Sequence, residues 1–163
     1  MGTARGPVTS AVRVLRAAGV EYTEHLYDYE EHGGTRVSAR ELGVDEHSVV
    51  KTIVMQDEHK QPLIALMHGD MNVSAKTLGR CIGAKTIEPC DPAVAQRHTG
   101  YMVGGTSPFG TRRSMPVFLQ QTIVDLPRIY INGGKRGFLV GIAPQVLLDL
   151  LAPTCVDIAA PRE

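Results

Sequence analysis

Tryptophan is absent from this 163-residue chain, and aromatic residues make up only 5% of it. Broad base-stacking platforms for single-stranded nucleic acid need more rings than that, which argues against such a surface. Cysteine is also sparse. Cys81, Cys90 and Cys155 form no CxxC pair and leave one thiol unmatched, pointing to a reducing cytoplasm and not to a disulfide scaffold. No apolar run approaches the roughly 18–20 residues that cross a bilayer. Met1–Pro7 lacks the apolar segment of an export signal, so a soluble cytoplasmic chain with no membrane partner is expected. The histidines (His25, His32, His47, His59, His68, His98) show no HExxH or close pair with ligand spacing, so neither a metal nor another cofactor is expected.

Net charge is zero, so the whole chain does not announce a polyanion partner. Its distribution is uneven. Residues 71–137 hold nine Lys/Arg against three Asp/Glu, an excess of +6 that the flanks offset. Such segregation steers a nucleic acid that a neutral average conceals, although a solvated surface accounts for it equally well.

Hydrophobic residues reach 43%, enough for one core, and no repeat or linker divides the chain, so residues 1–163 read as a single domain. Thr9–Ala18 reads as a helix stopped by Gly19, and Tyr22–Tyr29 as a strand. Gly33-Gly34 reads as a loop, and Ser38-Ala39-Arg40-Glu41 as a capping box that opens a short helix ended by Gly43. Val50–Gln56 and Pro62–Met67 read as a hairpin. Helices follow over Ser74–Ile82 and from Asp91-Pro92 to Gly100, with a short strand Lys85–Glu88 between them. Beyond an irregular Gly/Pro-rich loop at 100–110, Pro116–Leu119, Thr122–Asp125 and Arg128–Asn132 read as strands. A turn at 133–137 leads to strand Phe138–Ile142, a helix runs from Ala143-Pro144 through Leu151, and Cys155–Ile158 forms an edge strand. Hairpins broken by helices define an α+β fold with a central mixed, curved sheet flanked by helices.

Lys51 stands inside the apolar run Val49–Met55. Alternation puts Lys51, Ile53 and Met55 on one face, and Val50, Thr52 and Val54 on the other. A lysine there either reaches solvent from a strand end or meets an anion. The 100–110 loop fails as a P-loop because Thr111 stands where lysine is needed. It fails as a nucleophile elbow because Phe109 replaces the second glycine. Gly104 and Gly105 serve either a tight turn or a close backbone approach to a ligand. Cys81 and Cys155 lie in apolar patterns and read as small core residues. Asp28, Glu30 and Glu31 read as a solvated acidic cluster, and no catalytic triad can be assembled.

Four segments taken together resemble the YbaK/EbsC family of Cys-tRNA(Pro) and Cys-tRNA(Cys) deacylases. They are His25-Leu26-Tyr27-Asp28-Tyr29, Val50-Lys51-Thr52-Ile53, Gly100–Pro108 and Ile131-Asn132-Gly133-Gly134-Lys135-Arg136-Gly137. They occur in the order and spacing of that family, and the likeness runs from about Val12 to Ile158. The resemblance implies the fold of the editing domain inserted in bacterial prolyl-tRNA synthetases. It also implies trans-editing, the deacylation of a mischarged tRNA, with the aminoacylated 3′ end as partner and a prolyl-tRNA synthetase as a candidate second partner. It makes Lys51 the essential lysine, with Gly104 and Gly105 supplying backbone N–H groups to the developing oxyanion. It lines the aminoacyl pocket with Tyr27, Thr52, Tyr101, Thr106, Ser107 and Asn132. Asn132 departs from the serine of the cysteine-specific members. Lys76, Arg80, Arg112, Arg113, Lys135 and Arg136 are the tRNA-binding candidates within the basic segment. In this family the cysteinyl thiol attacks its own ester, so proximity replaces an enzyme nucleophile. A water-driven deacylase of Ala- or Ser-tRNA and a non-catalytic tRNA- or synthetase-binding module are the alternatives.

Overall fold

A computed structural model of the chain describes residues 5–162. Of the segment Met1–Pro7 read for an export signal, Met1–Ala4 therefore lie outside the described residues. The chain forms helices α1 (Ser10–Ala17), α2 (Gly34–Leu42), α3 (Ala75–Ile82), α4 (Pro92–Thr99) and α5 (Gln145–Leu151). The strands are β1 (Thr23–Leu26), β2 (Val49–Asp57), β3 (Pro62–His68), β4 (Met71–Val73), β5 (Ile87–Pro89), β6 (Val117–Gln120), β7 (Ile129–Lys135), β8 (Phe138–Ile142), β9 (Thr154–Val156) and β10 (Ala159–Pro161). One mixed eight-stranded sheet runs in the order β1-β8-β7-β2-β3-β6-β9, with β5 added to β2, and β10 pairs β4 in a separate ribbon. This is the α+β mixed sheet that the alternation of hairpins and helices implied.

Local chemistry explains most boundaries. Thr9 caps α1 by accepting the Val12 N–H at 3.1 Å, and Ser74 caps α3 by accepting the Thr77 N–H at 3.2 Å. Gly43, Gly83 and Gly100 take left-handed φ values of 69°, 73° and 82° at the ends of α2, α3 and α4. The strand β3 is buried at every position, so its unbroken apolar run reflects a central strand covered on both faces. One face carries the main core, where α1 and α5 supply Val12, Leu15 and Leu147 against Leu66, Leu119, Ile131 and Val140. The other face packs Leu78 of α3 with Met55, Leu63, Met67 and Phe118.

Several sequence expectations are corrected. Gly33-Gly34 is not a loop; α2 begins at Gly34, and Ser38 lies inside it, donating to the Thr35 carbonyl at 3.2 Å. The Ser38 capping pattern is thus satisfied within the helix and starts nothing. Thr122–Asp125 belongs to a 3-10 turn, Gln121–Asp125, which pins Ile123 into the core while Thr122 engages His68 Nε2 at 2.7 Å. The presumed turn at 133–137 is shorter, because β7 runs on to Lys135 through a bulge after Asn132. Cys81 and Cys155 are exposed. Cys155 sits on a three-residue edge strand whose alternation buries Val156 instead.

Candidate functional site

The cleft arises from a gap in the sheet. On one side, β2 pairs with β3 without interruption from Val50 to Gln56. On the other, it meets β7 only at Val49 and Val50, and β5 only at Met55–Asp57. On that second side Lys51–Val54 therefore have no strand beside them, and the space is a cleft of about 550 Å³. The backbone parity of β2 is fixed at both ends. The Val49 carbonyl accepts from Gly69 N on the β3 side (2.6 Å), whereas the Val54 carbonyl accepts from Cys90 N on the β5 side (3.0 Å). Alternation then turns the Thr52 N–H and C=O into the cleft. The Thr52 hydroxyl is buried and has no hydrogen-bond partner among the described residues. An unsatisfied buried hydroxyl costs ~1–3 kcal/mol, and a ligand group is one way to recover it.

Lys51 lines this cleft from the α3 face of the sheet, and its Nζ donates to the Met71 carbonyl. Burial holds its pKa below the ordinary lysine value, and the Arg162 guanidinium pushes the same way. The carboxylates of Glu46 and Asp70 oppose them. Glu46 is bound by both Arg162 Nη atoms (2.7 and 3.0 Å) and by the Thr35 hydroxyl (2.8 Å). Asp70 lies 2.9 Å from His47 Nδ1. Burial also raises the pKa of Tyr27 on the cleft wall, with Tyr29 adding to it and a hydrogen bond involving Gly137 opposing it.

The 100–110 loop begins and ends in the main core and sends only its middle to the cleft. Tyr101 is 6% exposed, and its hydroxyl donates to the Phe109 carbonyl at 2.5 Å. Burial pushes its pKa up to about 12. Ser107 is fully buried and accepts the Phe109 N–H at 3.1 Å, closing a turn. Between them Val103, Gly104 and Thr106 reach the cleft wall. Gly104 has φ 89°, and a Cβ there would lie 2.5 Å from Tyr29 Oη, so a side chain is excluded twice. Its N–H has no hydrogen-bond partner among the described residues, while the Gly105 N–H is spent on the Met102 carbonyl at 2.8 Å. Asn132 Nδ2 donates to the Gly104 carbonyl (3.2 Å), and Asn132 Oδ1 accepts from Gly134 N (2.7 Å) and Lys135 N (3.1 Å). Arg136 Nε donates to the Val103 carbonyl at 2.8 Å, and its guanidinium lies 5.0 Å over the Tyr29 ring.

Six of the nine catalytic and aminoacyl-pocket candidates from the sequence thus line one cleft: Lys51, Tyr27, Thr52, Gly104, Thr106 and Asn132. Tyr101, Gly105 and Ser107 instead build the loop beneath it. Of the basic candidates, Arg136 lines the cleft and Lys135 is exposed on the adjacent turn. Lys76 and Arg80 are exposed on α3, and Arg112 borders a separate hollow with Met115 and Leu150. Arg113, exposed beside it, joins its N–H to the His98 carbonyl. Sequence reasoning missed Thr35, Cys90 and Ala95 in the wall, and Glu46, Asp70 and Arg162 around Lys51. Tyr29 was within reach, since it closes the His25–Tyr29 segment. Among the described residues no cluster of three or more His, Cys, Asp or Glu is placed to hold a metal ion, and no helix is long and apolar enough to cross a membrane.

The fold and this cleft correspond to a known class: residues 32–150 match the family model described as "Aminoacyl-tRNA editing domain", and the chain belongs to that family. It is 29% identical over 143 residues to the "Putative Cys-tRNA(Pro)/Cys-tRNA(Cys) deacylase EbsC" of Enterococcus faecalis, covering 87% of each chain. It is 28% identical over 105 residues to the "Proline--tRNA ligase" of Streptococcus equi subsp. zooepidemicus. That match takes in 64% of this chain and spans only 17% of the ligase. Among solved structures, the "Crystal structure of a putative trans-editing enzyme for prolyl tRNA synthetase" superposes with a TM-score of 0.81 at 21% identity. It covers 95% of this chain and 99% of that one, and establishes the likeness of fold.

Proposed function

We propose that this chain is a trans-editing aminoacyl-tRNA deacylase that removes cysteine from mischarged Cys-tRNA(Pro) and Cys-tRNA(Cys). The observation that carries the reading is the cleft itself. It joins an ammonium to an exposed Gly104 whose N–H has no partner among the described residues, with the Thr52 hydroxyl buried in the wall behind them. The cleft offers donors for an ester and a phosphodiester but no activated nucleophile: Ser38, its one lining serine, is bonded to the Thr35 carbonyl, and the Cys90 thiol is held protonated by burial and by the Asp91 and Glu88 carboxylates, donating to Gln56 Oε1 at 3.6 Å. Such a site holds a reacting group without attacking it.

The substrate's own thiol then supplies the nucleophile. Its sulfur bonds to the ester carbonyl carbon, the carbon–oxygen bond to the terminal ribose breaks, and the thiol proton ends on the released ribose hydroxyl. The amino acid leaves as a thiolactone that water opens to free cysteine. Holding sulfur and carbonyl in near-attack geometry supplies ~7–11 kcal/mol of barrier reduction. The Gly104 N–H faces the developing oxyanion, and Lys51 anchors the 3′ end or polarises the ester. Asn132 spends its amide on the loop, so it shapes the wall by volume and leaves little polarity for the amino-acid side chain. A prolyl-tRNA synthetase is the candidate partner for delivering the tRNA.

Deacylation of Cys-tRNA(Pro) by the purified chain tests this reading. Cysteine release is expected from the wild type and is abolished in Lys51→Ala, with Pro-tRNA(Pro) left intact. An inert wild type, or an equally active Lys51→Ala, overturns it.

A further inference from the structure

The family model ends at residue 150, yet the chain continues through β9 and β10 to Arg162, and this tail returns to the cleft lysine. We propose that β10 and Arg162 form a strap that positions the Lys51 ammonium, with Arg162 and Glu46 as positioning residues. The inference rests on the reading of Lys51 given above.

The geometry begins with a carbonyl. β10 pairs antiparallel with β4, placing Pro161 opposite Met71, Ala160 opposite Asn72 and Ala159 opposite Val73. Ser74 N donates to the Ile158 carbonyl at 2.7 Å, which fixes the phase of this ribbon. Two-residue alternation then points the Asn72 backbone groups at β10 and turns the Met71 carbonyl away from it. Lys51 Nζ takes that carbonyl. Proline is tolerated at position 161 for the same reason, since an N–H there would point away from β4. A three-residue strand such as β4 has little to hold it without β10, so the direction of the Lys51 acceptor depends on the tail.

Arg162 closes the loop of contacts. It grips Glu46 with both Nη atoms and also reaches the Gly69 carbonyl at 3.4 Å. Glu46 lies in the 3-10 turn Glu46–Ser48 that leads into β2, and it is also held by Thr35 of α2, a cleft residue. The path therefore runs from β2 through Glu46, Arg162, β10, β4 and Met71 back to Lys51. The charged groups acting on the ammonium are Arg162 from the tail, Glu46 from the 3-10 turn and Asp70 from the β3–β4 turn, the last paired with His47. A bidentate arginine suits this task because its planar fork fixes direction as well as charge.

The test reads Lys51 directly. Only five lysines occur in the chain, so the ¹³Cε signal of Lys51 in ¹³C-lysine-labelled full-length protein is identified by its absence in Lys51→Ala. Arg162→Gln removes a neighbouring cation and frees the Glu46 carboxylate, so the Lys51 titration midpoint rises. Glu46→Gln keeps an amide oxygen for Arg162 and so leaves the strap closed, but it removes the negative charge and leaves Arg162 unneutralised, so the midpoint falls. A merely structural role would shift both the same way, toward the value of a solvated lysine. In deacylation, Arg162→Gln lowers kcat about tenfold to a hundredfold with an unchanged Kd for uncharged tRNA, and Arg162→Lys restores part of it. Midpoints that stay at the wild-type value, or move in one direction in both variants, overturn the strap. A fully active Lys51→Ala overturns the functional reading instead, while the opposed titration shifts still decide the strap.

Discussion

Gly104→Ala tests the proposal that the backbone of the 100–110 loop takes part in the chemistry of the cleft. The native φ of 89° belongs to glycine, and forcing an L-residue there costs ~1–2 kcal/mol. The added Cβ also falls 2.5 Å from Tyr29 Oη. Tyr29 cannot swing away freely, because the Arg136 guanidinium lies over its ring while Arg136 Nε holds the Val103 carbonyl. Relief by turning Tyr29 loosens that Arg136 contact, and relief by moving the loop shifts the Gly104 N–H and stretches the Asn132 bond to the Gly104 carbonyl. Loss of one oxyanion donor lowers a rate ~10²–10³-fold, and a misplacement of ~1 Å does nearly as much. Global stability falls by about that strain of ~1–2 kcal/mol and no further, since Gly104 is exposed and outside the core. Single-turnover deacylation of Cys-tRNA(Pro) and thermal melting of the same preparation measure both quantities. A variant within about threefold of the wild-type rate, equivalent to ~0.7 kcal/mol of barrier, refutes the role given to this N–H.

Other outcomes follow from the same geometry. Lys51→Met loses activity yet melts no lower than wild type near neutral pH. A lysine whose folded pKa is lowered binds its proton less tightly when folded, so its contribution to stability is unfavourable below that pKa and is relieved as pH rises through it. A lower melting temperature in Lys51→Met contradicts this sign. Tyr101→Phe leaves the buried Phe109 carbonyl without its donor and lowers stability by ~1–2 kcal/mol in urea titrations, with kcat nearly unchanged because the ring lies beneath the cleft. Lys135→Gln weakens tRNA binding and reduces the log–log salt slope by about one, whereas an unchanged slope removes this residue from the phosphate path.

The fold was legible where one chemical signal dominated. The helices starting near Thr9 and Ser74, the stops at Gly43, Gly83 and Gly100, and the β2–β3 hairpin all announced themselves locally, although the cap roles of Thr9 and Ser74 did not. Thr122–Asp125 did not, because its bend depends on His68, 54 residues away in sequence. The ribbon of β4 and β10 was equally silent, since three residues show no period and Pro161 argues against a strand. At the cleft, alternation placed Lys51 and Thr52 on opposite faces of β2. It could not reveal that the sheet is open beside them, which depends on where β7 stops and β5 begins. The loop glycines marked a special backbone without saying which N–H stays free. Tyr101 and Ser107 sit in the same motif as Gly104, yet they serve packing. Arg162 carried no signal at all, as its meaning depends on a tail that folds back over β4.

The central claim is that the cleft positions a substrate that attacks itself. Single-turnover rates on Cys-, Ser- and Ala-tRNA(Pro) under identical conditions test it, with a nucleophilic amine present to trap any thiolactone. Cysteine and serine differ by one atom, and a hydroxyl is a far weaker nucleophile than a partly ionised thiol. Fast release of cysteine with a trapped thiolactone, release of serine slower by orders of magnitude, and no release of alanine are expected. Comparable rates on all three substrates with no trapped thiolactone contradict the claim, and assign the attack to a bound water.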